Sequence, residues 1–222
     1  MCIIIINQTE KQIKEQTLLT CFENNPNFCG YSFVKNSKVM IKKFSNFTKF
    51  YENYFIDKSQ FSKSIFLIHF RIATCGLINL ANAQPLLCNT FALAHNGHFA
   101  GMGNEINSDS VELSKLLSQY FQNESNRKSF YKRKNTFSKL LNELIGSNKL
   151  AFLLPNNTVK LFNKQSFLKI EGNYYSNRSF EKEVMQTKFN DSWYYSSNGD
   201  NSYNRRAVYG NEYLNSTEKG GG

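Results

Sequence analysis

The sequence predicts an α+β domain followed by an irregular tail, and three observations carry that expectation. Short runs of β-branched and aromatic residues recur along the chain and read as strands. Between them lie stretches with apolar residues at helical spacing. From about residue 181 onward Asn, Ser, Tyr and Gly dominate and apolar periodicity fades. Nothing near the middle of the 222 residues looks like a linker, so one domain is expected over 1–180 and a tail over 181–222.

The first strand is expected at Cys2-Ile3-Ile4-Ile5-Ile6, because four β-branched residues pack well on a pleated surface. The run is far shorter than the ~20 apolar residues that cross a bilayer. Thr9-Glu10-Lys11-Gln12 matches a capping box, which predicts a helix to about residue 22 with Ile13, Leu18, Cys21 and Phe22 on one side. Asn24-Asn25-Pro26-Asn27 should stop it. Residues 30–34 and 38–42 read as two strands joined at Asn36-Ser37, and 48–55 as a short helix rich in aromatics. The strand expected over 64–69 is apolar through Ile65, Phe66, Leu67 and Ile68.

Two segments then break the pattern. Residues 71–76 follow a buried strand with polar and small side chains, and the strand expected over 91–94 runs straight into His95-Asn96-Gly97. Polar groups at strand ends are where a sheet scaffold presents chemistry. Ser108 can cap a helix over 109–121 whose apolar set is Val111, Leu113, Leu116, Leu117 and Tyr120. Residues 127–133 open a further helical stretch that continues through Phe137, Leu140, Leu141, Leu144 and Ile145 and ends at Gly146. A hairpin over 149–154 and 159–162 should turn at Asn156-Asn157, and Tyr174-Tyr175-Ser176-Asn177 should add a last strand.

Charge and cysteine usage bound the setting. The net charge of +10, from 27 Lys and Arg against 17 Asp and Glu, suits anionic partners. Arg127, Lys128, Lys132, Arg133 and Lys134 concentrate it; a solvated helix face is the default reading, and docking to nucleic acid or an acidic protein is the alternative. Five cysteines (Cys2, Cys21, Cys29, Cys75, Cys88) form no close pairs, and the N-terminus lacks the pattern of a secretion signal. A reduced, cytoplasmic setting without a membrane segment is therefore expected. Cys75, Cys88, His95 and His98 match no familiar zinc spacing, so neither metal nor cofactor is expected, and His69 and His98 read as packed or surface histidines.

Four stretches carry a resemblance. Met1-Cys2, His69-Phe70-Arg71-Ile72-Ala73-Thr74-Cys75-Gly76, His95-Asn96-Gly97 and Asn107-Ser108-Asp109-Ser110 follow in the order and spacing of class II glutamine amidotransferases, which are N-terminal-nucleophile hydrolases. Small stand-alone phage and bacterial members are the nearest in kind. Gly146-Ser147-Asn148-Lys149-Leu150-Ala151 and Tyr174-Tyr175-Ser176-Asn177 resemble their later segments, so the likeness spans about residues 1–180. Cys2 alone would pass for a small core residue, and Asn96-Gly97 alone for a turn; four stretches in register point elsewhere.

The resemblance implies a four-layer αββα sandwich and hydrolysis of glutamine to glutamate and ammonia. If Met1 is removed, Cys2 carries both a thiol nucleophile and a free α-amine that can act as its base. The resemblance assigns the oxyanion donors to the Asn96 side chain and the Gly97 N–H. It assigns the substrate α-carboxylate to Arg71, helped by Thr74 and the backbone near Gly76, and the α-ammonium to Asp109. A planar guanidinium matches a carboxylate bidentately, which suits Arg71 to that role. Such domains pass ammonia to a synthetase, which here would be a separate subunit. The sequence departs from the family at Ile3, commonly glycine, and at Cys75 and Gln84, where histidines are common. Two alternatives stay open: a catalytically weakened domain of this fold serving a structural or nucleic-acid-associated role, in a host cytoplasm or a virion if phage-encoded, and an amidase for a different amide.

Overall fold

A computed structural model describes residues 2–132 and 135–181. Arg133, Lys134 and residues 182–222, which include all but the first residue of the expected tail, lie outside the described residues. The described chain is mixed α and β, with antiparallel sheets and five α-helices.

A six-stranded sheet is built around the isoleucine run. β1 (Ile3–Asn7) pairs with β4 (Phe66–Phe70) on one side and β10 (Asn173–Tyr175) on the other. The order is completed by β2 (Cys29–Lys35) and β3 (Lys38–Phe44) beyond β4, and by β9 (Leu168–Ile170) beyond β10. A four-stranded sheet has the order β5 (Leu86–Cys88), β6 (Phe91–Asn96), β7 (Lys149–Leu154), β8 (Thr158–Phe162). Every pairing in both sheets is antiparallel.

The unbroken isoleucine run follows from burial on both faces. Side chains alternate across a strand. Ile3 and Ile5 join a core with Phe50, Tyr54, Phe66 and Phe70, which the helices α1 (Glu15–Asn24) and α2 (Phe47–Gln60) help to close. Ile4 and Ile6 face the other way, against Leu67 of their own sheet and Ala92, Ala94, Ala151 and Leu153 of the four-stranded sheet. A third core lies on the far side of that second sheet, where Leu93, Phe91 and Phe152 meet Leu113, Leu117, Phe130 and Leu141. Those last four come from α3 (Asp109–Tyr120), α4 (Glu124–Tyr131) and α5 (Thr136–Leu144). Each fully buried isoleucine contributes about 1.5–3 kcal/mol over an exposed one. Alanines on the facing strands let the two sheets approach.

Several local expectations need correction. The Thr9–Gln12 capping box does not form: α1 starts at Glu15 behind Lys14, which makes no side-chain cap. Gln12 reaches α2 instead, donating to Phe55 O and Ser59 Oγ, and Thr9 donates to Lys11 O. α2 begins behind Asn46, which caps it by accepting from Lys49 N, and it runs through Gln60, past the expected end at residue 55. The stretch expected to open at 127 is two helices, each capped by an asparagine: Asn123 accepts from Ser125 N, and Asn135 from Ser138 N. The short strands β5 and β9 add to the expected set. Among the described residues no helix is long and apolar enough to cross a membrane.

Candidate active site

Strand register brings the first two groups together. Ile3 pairs with Phe70 in the β1–β4 ladder, so one residue further out Cys2 comes beside Arg71. The chain then turns over the thiol: Ile72 N–H donates to Cys2 Sγ at 3.4 Å. The Cys2 carbonyl accepts from Asn177 Nδ2 at 2.7 Å, which ties the first residue to the segment after β10. Burial pushes the Cys2 thiol above the ordinary thiol range, against the opposing pull of the Ile72 N–H and the Arg71 charge; the Asp109 carboxylate pushes it further up. Both Arg71 and Asp109 therefore act electrostatically on the same sulfur.

Arg71 is 3% exposed. Its Nη1 donates to Leu77 O and its Nη2 to Cys75 O, each at 3.0 Å. Those bonds fix the guanidinium plane and leave one further proton on each terminal nitrogen. Burial lowers the Arg71 pKa, and the nearby Cys2, Cys75 and Asp109 work against that. The 71–77 loop is itself held by asparagines: Asn27 Oδ1 accepts from Ala73 N, and Asn82 Nδ2 donates to Leu77 O and Ile106 O. Thr74 lies exposed in this loop, and among the described residues its hydroxyl makes no hydrogen bond.

Gly76 has φ +70°, and a Cβ there would stand 2.7 Å from the Asn107 carbonyl carbon. The loop thus touches the start of α3, where Ser108 caps the helix by accepting from Val111 N. Asp109, the first residue of that helix, is 4% exposed. Its Oδ1 accepts from Ser110 N at 2.7 Å and its Oδ2 from Phe99 N at 2.9 Å. A carboxylate in the first turn also meets the positive end of the helix dipole.

The third group comes from the other sheet. Asn96, the last residue of β6, is 4% exposed and donates from Nδ2 to Ser176 Oγ at 2.8 Å. The same hydroxyl accepts from Ile4 N at 2.8 Å. Ser176 therefore holds the Asn96 amide over the start of β1, two residues from Cys2. Among the described residues the buried Asn96 Oδ1 has no hydrogen-bond partner. Gly97 follows with φ +150°, and any Cβ would collide with the Asn148 side chain, whose Cγ lies 2.7 Å away. Asn148 Oδ1 is committed to His95 Nε2 at 2.9 Å.

The histidines are structural in their contacts. His95 bridges Ser110 Oγ (2.8 Å from Nδ1) and Asn148, its backbone N–H donates to Gln84 Oε1, and burial lowers its pKa. His69 Nε2 donates to His95 O across the sheets; its pKa is lowered to about 3, chiefly by burial. Burial therefore favours the neutral form of both rings. Gln84 Nε2 also donates to Ser110 Oγ, so both ends of this amide are engaged.

Of the expected site residues, the fold gathers Cys2, Arg71, Gly76, Asn96, Gly97 and Asp109 at one end of β1, β4, β6 and α3, with Thr74 on the rim. Sequence reasoning missed the supporting Ser176, Asn148, Asn82, Asn27 and Asn177. Four of the five are asparagines at loop positions, where side-chain amides bond to backbone; that was the available signal. Cys88 sits in the apolar core under α3, among Phe91, Leu113 and Leu117. In the basic stretch, Arg127 donates to Phe121 O and Gln122 O, and Lys128 pairs with Glu124.

No family model and no curated protein matches the chain. Among solved structures it is similar to the glutamine phosphoribosylpyrophosphate amidotransferase from B. subtilis complexed with ADP and GMP, with a TM-score of 0.50 and 17% identity over 79% of this chain. The match spans 41% of that chain, so this protein corresponds to less than half of its neighbour's length. At this identity the likeness is one of fold.

Proposed function

We propose that the protein is a class II glutamine amidotransferase domain of the small stand-alone type. On this reading its three stacked cores form the four-layer αββα sandwich of N-terminal-nucleophile hydrolases. The observation that carries the proposal is the β1–β4 register, which sets the Cys2 thiol beside Arg71 while the Asp109 carboxylate acts on the same sulfur.

The raised thiol pKa defines what the mechanism needs. A thiol whose pKa is raised by burial needs a base to become the attacking thiolate. With Met1 removed, its own α-amine supplies one, since a free α-amine ordinarily titrates at about 7.7–8.0. The amine takes the thiol proton, the sulfur attacks the side-chain amide carbon of glutamine, and the carbonyl oxygen becomes an oxyanion. Asn96 Nδ2 and the Gly97 N–H stabilise that charge. Collapse breaks the C–N bond, the ammonium form of the amine returns the proton to the departing nitrogen, and ammonia leaves a Cys2 thioester. Water, deprotonated by the same amine, cleaves the thioester to glutamate. The two spare Arg71 protons take the α-carboxylate, with Thr74 and the Gly76 backbone at its side, and Asp109 takes the α-ammonium. Ammonia would pass to a separate synthetase subunit.

A second reading, the same chemistry on another amide, is favoured by one observation: Cys75 and Gln84 stand where the resembled family commonly has histidines, and both ends of the Gln84 amide are already engaged. Ammonia release from glutamine, compared between wild type and Cys2→Ala, tests the proposal. A loss of about 10³-fold or more is expected. Equal rates would refute it, and release from asparagine or another amide but not glutamine would select the second reading.

A further inference from the structure

Three segments distant in sequence converge beside Arg71. Cys75 lies in the loop after β4, His98 in the loop after β6, and Asp109 at the start of α3. One donor atom of each lies within 4.8 Å of the other two. His98 Nδ1 is 3.7 Å from Asp109 Oδ2, too far for a hydrogen bond, and Cys75 Sγ accepts from Asp109 N at 3.4 Å. We propose that Cys75 Sγ, His98 Nδ1 and an Asp109 carboxylate oxygen form a binding site for a thiophilic divalent cation, with Zn²⁺ the best fit.

The donor set selects the metal class. One thiolate, one imidazole and one carboxylate suit Zn²⁺, whereas Mg²⁺ and Ca²⁺ need several oxygen ligands. Tetrahedral zinc with bonds of about 2.0–2.3 Å sets its donors roughly 3.3–3.7 Å apart, so the His98–Asp109 pair is already at that spacing. His98, whose side chain is 58% exposed, is the donor with room to adjust on ligation. Phe99 N–H and Ser110 N–H bond to the Asp109 carboxylate and orient it, as outer contacts do in built metal sites. Three protein donors leave a fourth position for water. On ligation the Cys75 thiol gives its proton to solvent, and Cys75 and Asp109 together neutralise the cation. The adjacent Arg71 charge opposes a second cation, which makes occupancy weaker than in a four-ligand structural site and therefore reversible.

The consequence for catalysis rests on the function proposed above. A cation on Asp109 occupies the carboxylate that would take the substrate ammonium, so Zn²⁺ should compete with glutamine.

The test titrates reduced full-length protein with Co²⁺, read by the thiolate-to-cobalt absorption band, and with Zn²⁺, read by calorimetry. One equivalent should bind. His98→Ala should weaken binding about tenfold or more. Cys75→Ser should abolish the band, and Cys2→Ala should leave it unchanged. The site is refuted if no band saturates, if His98→Ala binds as wild type does, if the band survives in Cys75→Ser, or if it disappears in Cys2→Ala. His98 is exposed, so its variant decides the matter even if Cys75→Ser fails to fold. In the activity arm, Zn²⁺ should raise the KM for glutamine in wild type, with chelator reversal, and much less in His98→Ala. A protein that binds Co²⁺ as described but releases no ammonia would refute the glutaminase reading and leave the metal site standing.

Discussion

At the scale of single residues, the candidate site depends on polar groups that each serve two partners. The Ser176 hydroxyl holds both Ile4 N–H and Asn96 Nδ2 in a buried setting. Ser176→Ala leaves both donors unpaired, which should cost about 1–3 kcal/mol of stability and also slow ammonia release, read by urea unfolding and a rate assay on the same preparation. On the function proposed above, Asn96→Ala removes one oxyanion donor and should lower kcat about 10²–10³-fold. His69 predicts a pH dependence. Its folded pKa of about 3 lies below the ordinary histidine value of 6.5. As pH falls from 6.5 the unfolded chain takes up a proton that the folded chain refuses until about pH 3, so stability should drop across that window. The loss is on the order of a few kcal/mol. Replacement by Gln, which keeps an N–H for His95 O, should flatten that limb in urea melts run at a series of pH values.

At the scale of elements, what could be read in advance and what could not divide along physical lines. The isoleucine strand, the β2–β3 hairpin at Asn36-Ser37 and the Ser108 cap were legible because local chemistry decides them: β-branching, left-handed turn residues and a hydroxyl placed before the helix. The Thr9 capping box failed because tertiary contacts outweigh it, with Gln12 drawn to α2. The apolar spacing of 113–145 was legible as helix, but Leu116, Leu140 and Leu144 are exposed at 57%, 55% and 69%, because spacing shows which residues share a face and not whether anything covers it. That Cys2, Arg71, Asn96, Gly97 and Asp109 come to one end of the fold was legible from motif order, whereas the asparagine braces were not, since a loop asparagine looks alike whether it braces a site or faces water. The Asn46 cap gives the element-scale test: Asn46→Ala should cost about 1 kcal/mol and lower Tm without changing any active-site reading.

At the scale of the whole molecule, two sheets share one core, and the candidate site lies where they meet. Cys2 and Arg71 come from one sheet and Asn96 and Gly97 from the other, joined through Ser176. Gly97→Ala should therefore disturb more than a loop: its Cβ would strike Asn148, which braces His95, and loss of both Tm and activity is expected. The central claim concerns Cys2 itself, and a glutamine-analogue electrophile tests it most directly. Intact mass and peptide mapping after labelling should find a chain that lacks Met1 and carries one adduct on Cys2, with glutamine protecting it. A retained Met1, or an adduct confined to Cys75 or another side chain, would contradict the account.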